Sequence, residues 1–280
     1  MSATPQFCPT PRELDDLELL IAGAFAPTSG FGEPGSPITL ELPAAIEAAA
    51  TEAGVVELVD PEGLPLARVH WPAGTVAPLK RAQYGPFRRL YLTPAEVRAR
   101  YAGRRVVPVA DALTEADLEA IGDRPTLLLA LVGEGTPSLP AVALLRATLA
   151  AADLLADAEV VAVPLAAHGD PDTDHALGVA VVGAYAGEEE VFGLRDDDES
   201  TYPDAIAAIV ADALPSPAEQ GLVLFFTGLS GSGKSTLARA LMDKVLESGT
   251  RSLTSLDGDV VRRNLSAGLS FSKEIGRAHV

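Results

Sequence analysis

The chain is poor in the features that would tie it to disulfides, membranes or polyanions. Its 280 residues include one cysteine, Cys8, which excludes an internal disulfide framework and any multi-cysteine metal cluster. Basic side chains number 21 against 39 acidic ones, a formal net charge of −18, and that balance argues against nucleic acid or an anionic membrane as a partner. No run approaches the ~18 uncharged apolar residues of a membrane-spanning helix. The best, Thr126 to Gly133, is far shorter. The opening MSATPQFCPTPRELDD lacks the basic and apolar regions of a signal peptide, so a cytoplasmic location is expected. Aromatics make up only 5%, yet 48% of residues are hydrophobic, enough for a substantial core. The length leaves room for one or two domains.

The charge is unevenly spread. Residues 221–280 carry 8 basic and 5 acidic side chains, leaving 13 and 34 for the rest. The shift falls at Pro215 to Gly221, a polar, proline-bearing stretch with the composition of a linker. Before it, a helix is expected over Asp15 to Ala24, capped by the Asp15-Asp16 pair. Ile38 to Leu42, Val55 to Val59 and Leu66 to Trp71 are short apolar runs between turn residues, the pattern of a β-rich module. Thr93-Pro94-Ala95-Glu96 is a capping box that opens a helix. From about Leu118 the pattern turns α/β. Strands are expected at Leu127 to Val132, Val160 to Leu165 and Val179 to Val182, with a helix over Ala141 to Leu155. The acid runs Glu188 to Glu190 and Asp196 to Glu199 are expected to be solvated loops, because adjacent carboxylates repel without a cation.

The sharpest signal is Gly228-Leu229-Ser230-Gly231-Ser232-Gly233-Lys234-Ser235, a full match to G-x-x-x-x-G-K-[ST]. Leu222 to Phe226 ahead of it is apolar throughout, as a central parallel strand requires. After it, Leu237, Leu241 and Val245 share one face of a helix over Ser235 to Ser248 that Gly249 can end. In that context the glycines let several N–H groups converge on an anion, with the helix N-terminus adding positive potential. A triphosphate fills the hole, Lys234 reaches the β- and γ-phosphates, and the Ser235 hydroxyl ligates Mg²⁺. A second strand is expected over Arg251 to Leu256, closed by Asp257-Gly258-Asp259. One of these carboxylates can hold a substrate hydroxyl and take its proton, the other can orient Mg²⁺ water or substrate; a turn with capping aspartates is the plainer alternative. Arg262 and Arg263 can pair with a second anionic group or be simply solvated.

At these residues the sequence resembles adenylyl-sulfate (APS) kinase, in the phosphate loop Gly228 to Thr236, in LDGDVVRRNL from Leu256 to Leu265, and in Leu269-Ser270-Phe271-Ser272. The resemblance implies ATP on Gly228 to Thr236, Asp257 and Asp259 beside the acceptor 3′-hydroxyl and Mg²⁺, Arg262 binding APS, and Phe271 stacking on its adenine. Val260 and Ser270 depart from the family's usual asparagine and glycine and leave the charged set intact. The first 200 or so residues resemble ATP sulfurylase, including its PUA-like module, at Asp15 to Pro27, Gly30-Phe31, Pro37 to Leu42, Leu92 to Arg98 and Leu131 to Gly133. That family's Q-x-R-N-P-x-H-x-x-H grip on ATP has no counterpart in Pro108 to Leu118, which carries three acids and no histidine or arginine. His70, His168, His175 and His279 form no H-x-x-H pair, and Gly193-Leu194-Arg195-Asp196-Asp197 is a poor G-R-D-H. Sulfurylase chemistry is therefore expected to be lost.

The expected fold is α/β with three parts: a β-rich PUA-like module over 1–117, a degenerate sulfurylase-like α/β region over 118–214, and, beyond a linker at 215–221, the start of a P-loop NTPase parallel sheet over 222–280. The resemblance implies an APS kinase with ATP and Mg²⁺ as cofactors and APS as substrate. Another P-loop small-molecule kinase and a non-catalytic ATP-binding scaffold remain open, and a homodimer is among the assemblies allowed. A P-loop kinase of this kind needs about five strands, and Gly221 to Val280 supplies two, so a C-terminally truncated and inactive form is expected. Glu274 to Val280 departs from the family and resembles a translated sequencing adapter, which places the native sequence up to about Lys273.

Overall fold

A computed structural model describes residues 4–82, 85–195, 201–214, 221, 223–229 and 232–248. The chain divides into two compact units, Met1–Ala218 and Glu219–Val280.

The first unit is mixed α/β and holds two sheets. β1 (Gln6–Phe7) leads to α1 (Pro11–Ala22), then α2 (Ala44–Ala53) and the strands β2 (Val55–Val59), β3 (Pro65–His70) and β4 (Val76–Pro78). These strands form a four-stranded sheet in sequence order, β1 parallel to β2 and the rest antiparallel. α3 (Pro94–Arg100) follows, and then β5 (Arg105–Val109), α4 (Glu115–Ile121), β6 (Thr126–Leu131), α5 (Ala141–Leu154), β7 (Ala158–Val163), α6 (Pro171–Ala186) and α7 (Asp204–Ala213). β5, β6 and β7 make a parallel sheet in that order. The parallel sheet thus begins at β5, ahead of Leu118, where the composition changes.

Strand periodicity explains how the layers join. Leu127, Leu129 and Leu131 of β6 point to one side and enter a core with Leu17 of α1, Val56 and Leu58 of β2, and Tyr185 of α6. Leu128 and Ala130 point to the other side and pack with Leu144 and Leu145 of α5 and Ile206 of α7. A parallel strand covered on both faces is apolar throughout, and all of Thr126–Leu131 is buried. One core therefore includes residues from both sides of the 117/118 division.

Several local expectations differ from the structure. α1 begins at Pro11, and its cap is Thr10, whose side chain accepts the Glu13 amide while the Glu13 carboxylate returns to the Thr10 amide at 2.8 Å. The Asp15-Asp16 pair lies inside the helix, and Asp16 is fully buried. Ile38 to Leu42 forms no strand among the described residues: Ile38 O accepts from Gly32, and the Glu41 amide is taken by the Glu13 carboxylate. Val179 to Val182 belongs to α6, where Asp170 caps the first turn by accepting the Thr173 amide. The acid run at Glu188 is not wholly free, since Glu189 accepts the Gly103 amide and Glu190 pairs with Arg124. Asp196 to Glu199 lies outside the described residues. Among the described residues no helix is long and apolar enough to cross a membrane, and no cluster of His, Cys, Asp or Glu could hold a metal.

In the second unit the described element is α8 (Lys234–Ser248). The expected strand at Leu222 to Phe226 is not formed among the described residues. Val223, Leu224 and Phe225 are 75%, 56% and 86% exposed, and among the described residues this run has neither a ladder partner nor a covering layer. Leu237 and Leu241 of α8 are likewise exposed. Gly249, the expected stop of α8, and the second strand at Arg251 to Leu256 lie outside the described residues.

Candidate functional site

The phosphate loop is built by two glycines and one lysine. Gly228 has φ +150°, and a Cβ there would lie 2.9 Å from Ser232 Oγ, so only glycine fits without displacing the serine. The Ser232 amide donates to Leu229 O at 3.2 Å and closes the turn. Gly233 has φ +82° with open space around it, so backbone conformation alone demands glycine. Its carbonyl accepts the Leu237 amide at 2.9 Å, which makes Gly233 the residue from which α8 springs.

Lys234, the first residue of α8, folds back over the loop. Its Nζ donates to Gly228 O at 2.9 Å and Leu229 O at 2.7 Å. An ammonium has three donors, so one remains for an incoming oxyanion. Ser235 and Thr236 stand exposed in the first turn, where helical amides have no intrahelical acceptor and the macrodipole is positive. The arrangement can hold a polyphosphate. Ser235 offers one exposed hydroxyl, which suits Mg²⁺, an ion that keeps several waters and takes its other ligands from substrate phosphates. Ser230 and Gly231 of the loop lie outside the described residues, as do Asp257, Asp259, Arg262 and Phe271.

Residues 220–280 match the model of the adenylylsulphate kinase family. The chain is 61% identical over 54 residues to an adenylyl-sulfate kinase of Chloroflexus aurantiacus, a stretch covering 19% of this chain and 28% of that one. It is 55% identical over 56 residues to a probable adenylyl-sulfate kinase of Synechocystis, covering 20% of this chain and 31% of that one. A sulfate adenylyltransferase of Aspergillus terreus is 42% identical over 74 residues, covering 26% of this chain and 13% of that one. The chain thus spans less than a third of the length of these curated relatives. Among solved structures, the hexameric APS kinase from Thiobacillus denitrificans aligns with a TM-score of 0.61 and 23% identity, over 97% of this chain and 76% of that one. That likeness is one of fold, and at such coverage it takes in the N-terminal unit as well. The matched C-terminal segment is thus similar to part of the adenylylsulphate kinases.

The first unit has features that sequence spacing did not single out. A cavity of about 120 Å³ lies between α1 and the sheets, lined by Asp15, Glu18, Arg88, Tyr91 and Tyr185 among others. Glu18 and Arg88 form a bidentate ion pair on its wall. Burial pushes the Asp15 carboxyl up to about 7, helped by the charges of Glu18, Asp16 and Glu134 and opposed by the hydrogen bond from the Glu134 amide. The sequence did carry one signal: Thr10-Pro11-Arg12-Glu13 is the same capping signature as Thr93-Pro94-Ala95-Glu96, and reading it moves the Asp pair from the cap into the packed helix.

Proposed function

We propose that the complete protein is an adenylyl-sulfate kinase, transferring the γ-phosphoryl group of ATP to the 3′-hydroxyl of APS to give ADP and PAPS. The observation that carries this reading is Lys234 drawn across Gly228 and Leu229 at the start of α8, inside a segment matching that family. The loop amides and Lys234 bind and orient the β- and γ-phosphates. The bond from the γ-phosphorus to the bridging oxygen breaks, and a bond to the 3′-oxygen forms. Asp257 takes the hydroxyl proton and passes it to solvent, Asp259 positions the acceptor, Arg262 pairs with the APS anion, and Phe271 stacks on its adenine. Ser235 would hold Mg²⁺, which when bound offsets charge on the transferring phosphoryl group.

The N-terminal unit is proposed to be a sulfurylase-like region, PUA-like at its start, that does no adenylyl transfer. The acids after β5 support this, because they are occupied in local structure. Asp111 accepts from the Ser138 hydroxyl at 2.8 Å, and Asp117 completes a capping box with Thr114. Carboxylates placed there oppose a triphosphate.

In a full-length form, Lys234→Ala is expected to lower APS-dependent ADP release by at least about a thousandfold, the scale of losing a principal charge on the transferring group. Unchanged turnover would exclude this site, and ADP release indifferent to APS would point to another acceptor. ATP formation from APS and pyrophosphate by the purified protein would overturn the reading of the N-terminal unit.

A further inference from the structure

Two adjacent aspartates of α1 reach two different loops at the carboxyl ends of the parallel strands. Asp15 Oδ2 accepts the amide of Glu134, at 2.8 Å, in the loop that leaves β6. Asp16 Oδ2 meets His168 Nε2 at 3.1 Å, in the loop between β7 and α6. The Asp16 and His168 side chains are 0% and 4% exposed, so this is a buried pair. The His168 amide donates to Asp174 Oδ1 at 2.6 Å, and the same oxygen lies 3.7 Å from His168 Nδ1. The loops are themselves joined, Ala167 N to Glu134 O at 2.9 Å. Asp16 Oδ1 and His168 Nδ1 are buried without a hydrogen-bond partner, so the pair depends on its one direct contact.

We propose that Asp15, Asp16 and His168 form a proton-controlled latch between α1 and these two loops, closed while Asp15 and His168 carry protons and loosened as the pH rises toward and through neutrality. The carboxyl ends of parallel strands are where open α/β sheets accept ligands, so the latch governs access to that edge of the N-terminal unit.

The sign follows from linkage. Asp15 sits at about 7 against an ordinary 3.8, chiefly through burial. His168 is raised above its ordinary 6.5, chiefly by the hydrogen bond to Asp16, with Asp174 assisting and burial and Arg12 opposing. Both groups bind protons more tightly when the latch is closed, so both contributions are present at low pH. Asp15's is lost between about 4 and 7, and His168's from 6.5 upward. The charges facing them are Arg12 and Glu18 of α1, Glu134 after β6 and Asp174 of α6. Across the cavity that Asp15 lines stand Asp60, Lys80, Arg81, Arg88 and Tyr91, with Arg88 held by Glu18 and Arg81 by Glu96.

Hydrogen exchange on the full chain at pH 6 and pH 8, corrected for intrinsic rates, tests this. If opening exposes Asp15 to water, its linkage alone loosens the latch by about tenfold over that interval. Protection of the Glu134 and His168 amides is therefore expected to fall by at least about tenfold, while β2 amides hold theirs. Asp15→Asn, neutral at every pH, should cut the pH dependence at Glu134 by about tenfold, leaving the part that His168 supplies. Equal protection at both pH values in the wild type, or a pH dependence unchanged by Asp15→Asn, overturns the latch. Should the variant not fold, the His168 ring titration followed by NMR decides: a midpoint above 6.5 supports the latch and one below it refutes it.

Discussion

Gly133 and Gly23 separate two reasons for glycine in one protein. Gly133 follows β6, and a Cβ there would lie 2.0 Å from the Leu165 carbonyl carbon, 2.1 Å from its oxygen and 2.3 Å from the Ala166 nitrogen. Ordinary contact begins near 3.4 Å, so backbone must retreat by more than an ångström. That backbone is anchored: Leu165 N bonds to Val163 O, Ala167 N to Glu134 O, and the Thr136 hydroxyl to Leu165 O. Losing two such bonds at about 1 kcal/mol each, with about 1–3 kcal/mol of overpacking, makes Gly133→Ala cost about 3–5 kcal/mol. Gly23, after α1, has φ +71° and nothing within 4 Å, so Gly23→Ala meets only left-handed backbone strain of about 1–2 kcal/mol. Urea unfolding of the full chain checks both, followed by fluorescence of Trp71, the sole tryptophan, packed against the core of the N-terminal unit. A Gly133→Ala cost below that of Gly23→Ala refutes the steric argument.

Two further substitutions extend these tests. Glu13 is buried and its carboxylate accepts the Thr10 amide and hydroxyl and the Glu41 amide. Glu13→Gln sets an amide donor against one of these donors and is expected to cost about 2 kcal/mol in the same urea experiment, whereas a loss under about 0.5 kcal/mol would show the network to be dispensable. Gly228→Ala pushes a methyl group toward Ser232 Oγ in a backbone conformation that side chains rarely adopt. ATP affinity by calorimetry should fall at least about tenfold, the equivalent of 1.4 kcal/mol, with α8 helicity unchanged.

Local sequence carried a good deal of this fold. The Thr93 capping box, β2, β6, α5 and α8 stand where spacing and cap chemistry put them, because each depends on neighbours within a turn or on a strand's own composition. Of the candidate site, Gly228, Gly233 and Lys234 were legible for the same reason, since the loop's curvature is set by backbone freedom at fixed positions. The chemistry assigned to Asp257, Asp259 and Arg262 rests on their place in the sequence after the phosphate loop and on the resemblance, and that of Phe271 on the resemblance alone.

Other features were decided only by tertiary structure. Val179 to Val182 is an apolar run that suits a buried strand or a buried helix equally, and burial of Val181, Val182 and Tyr185 as parts of α6 chose between them. Leu222 to Phe226 has the composition of a central strand, yet its described residues, 223–226, form no ladder among the described residues, because pairing depends on a partner strand as well as on composition. Asp15 and Asp16 look like surface caps in one dimension. Their meeting with Glu134 and His168 spans more than a hundred residues of chain, and contacts that distant leave no periodic trace in the sequence.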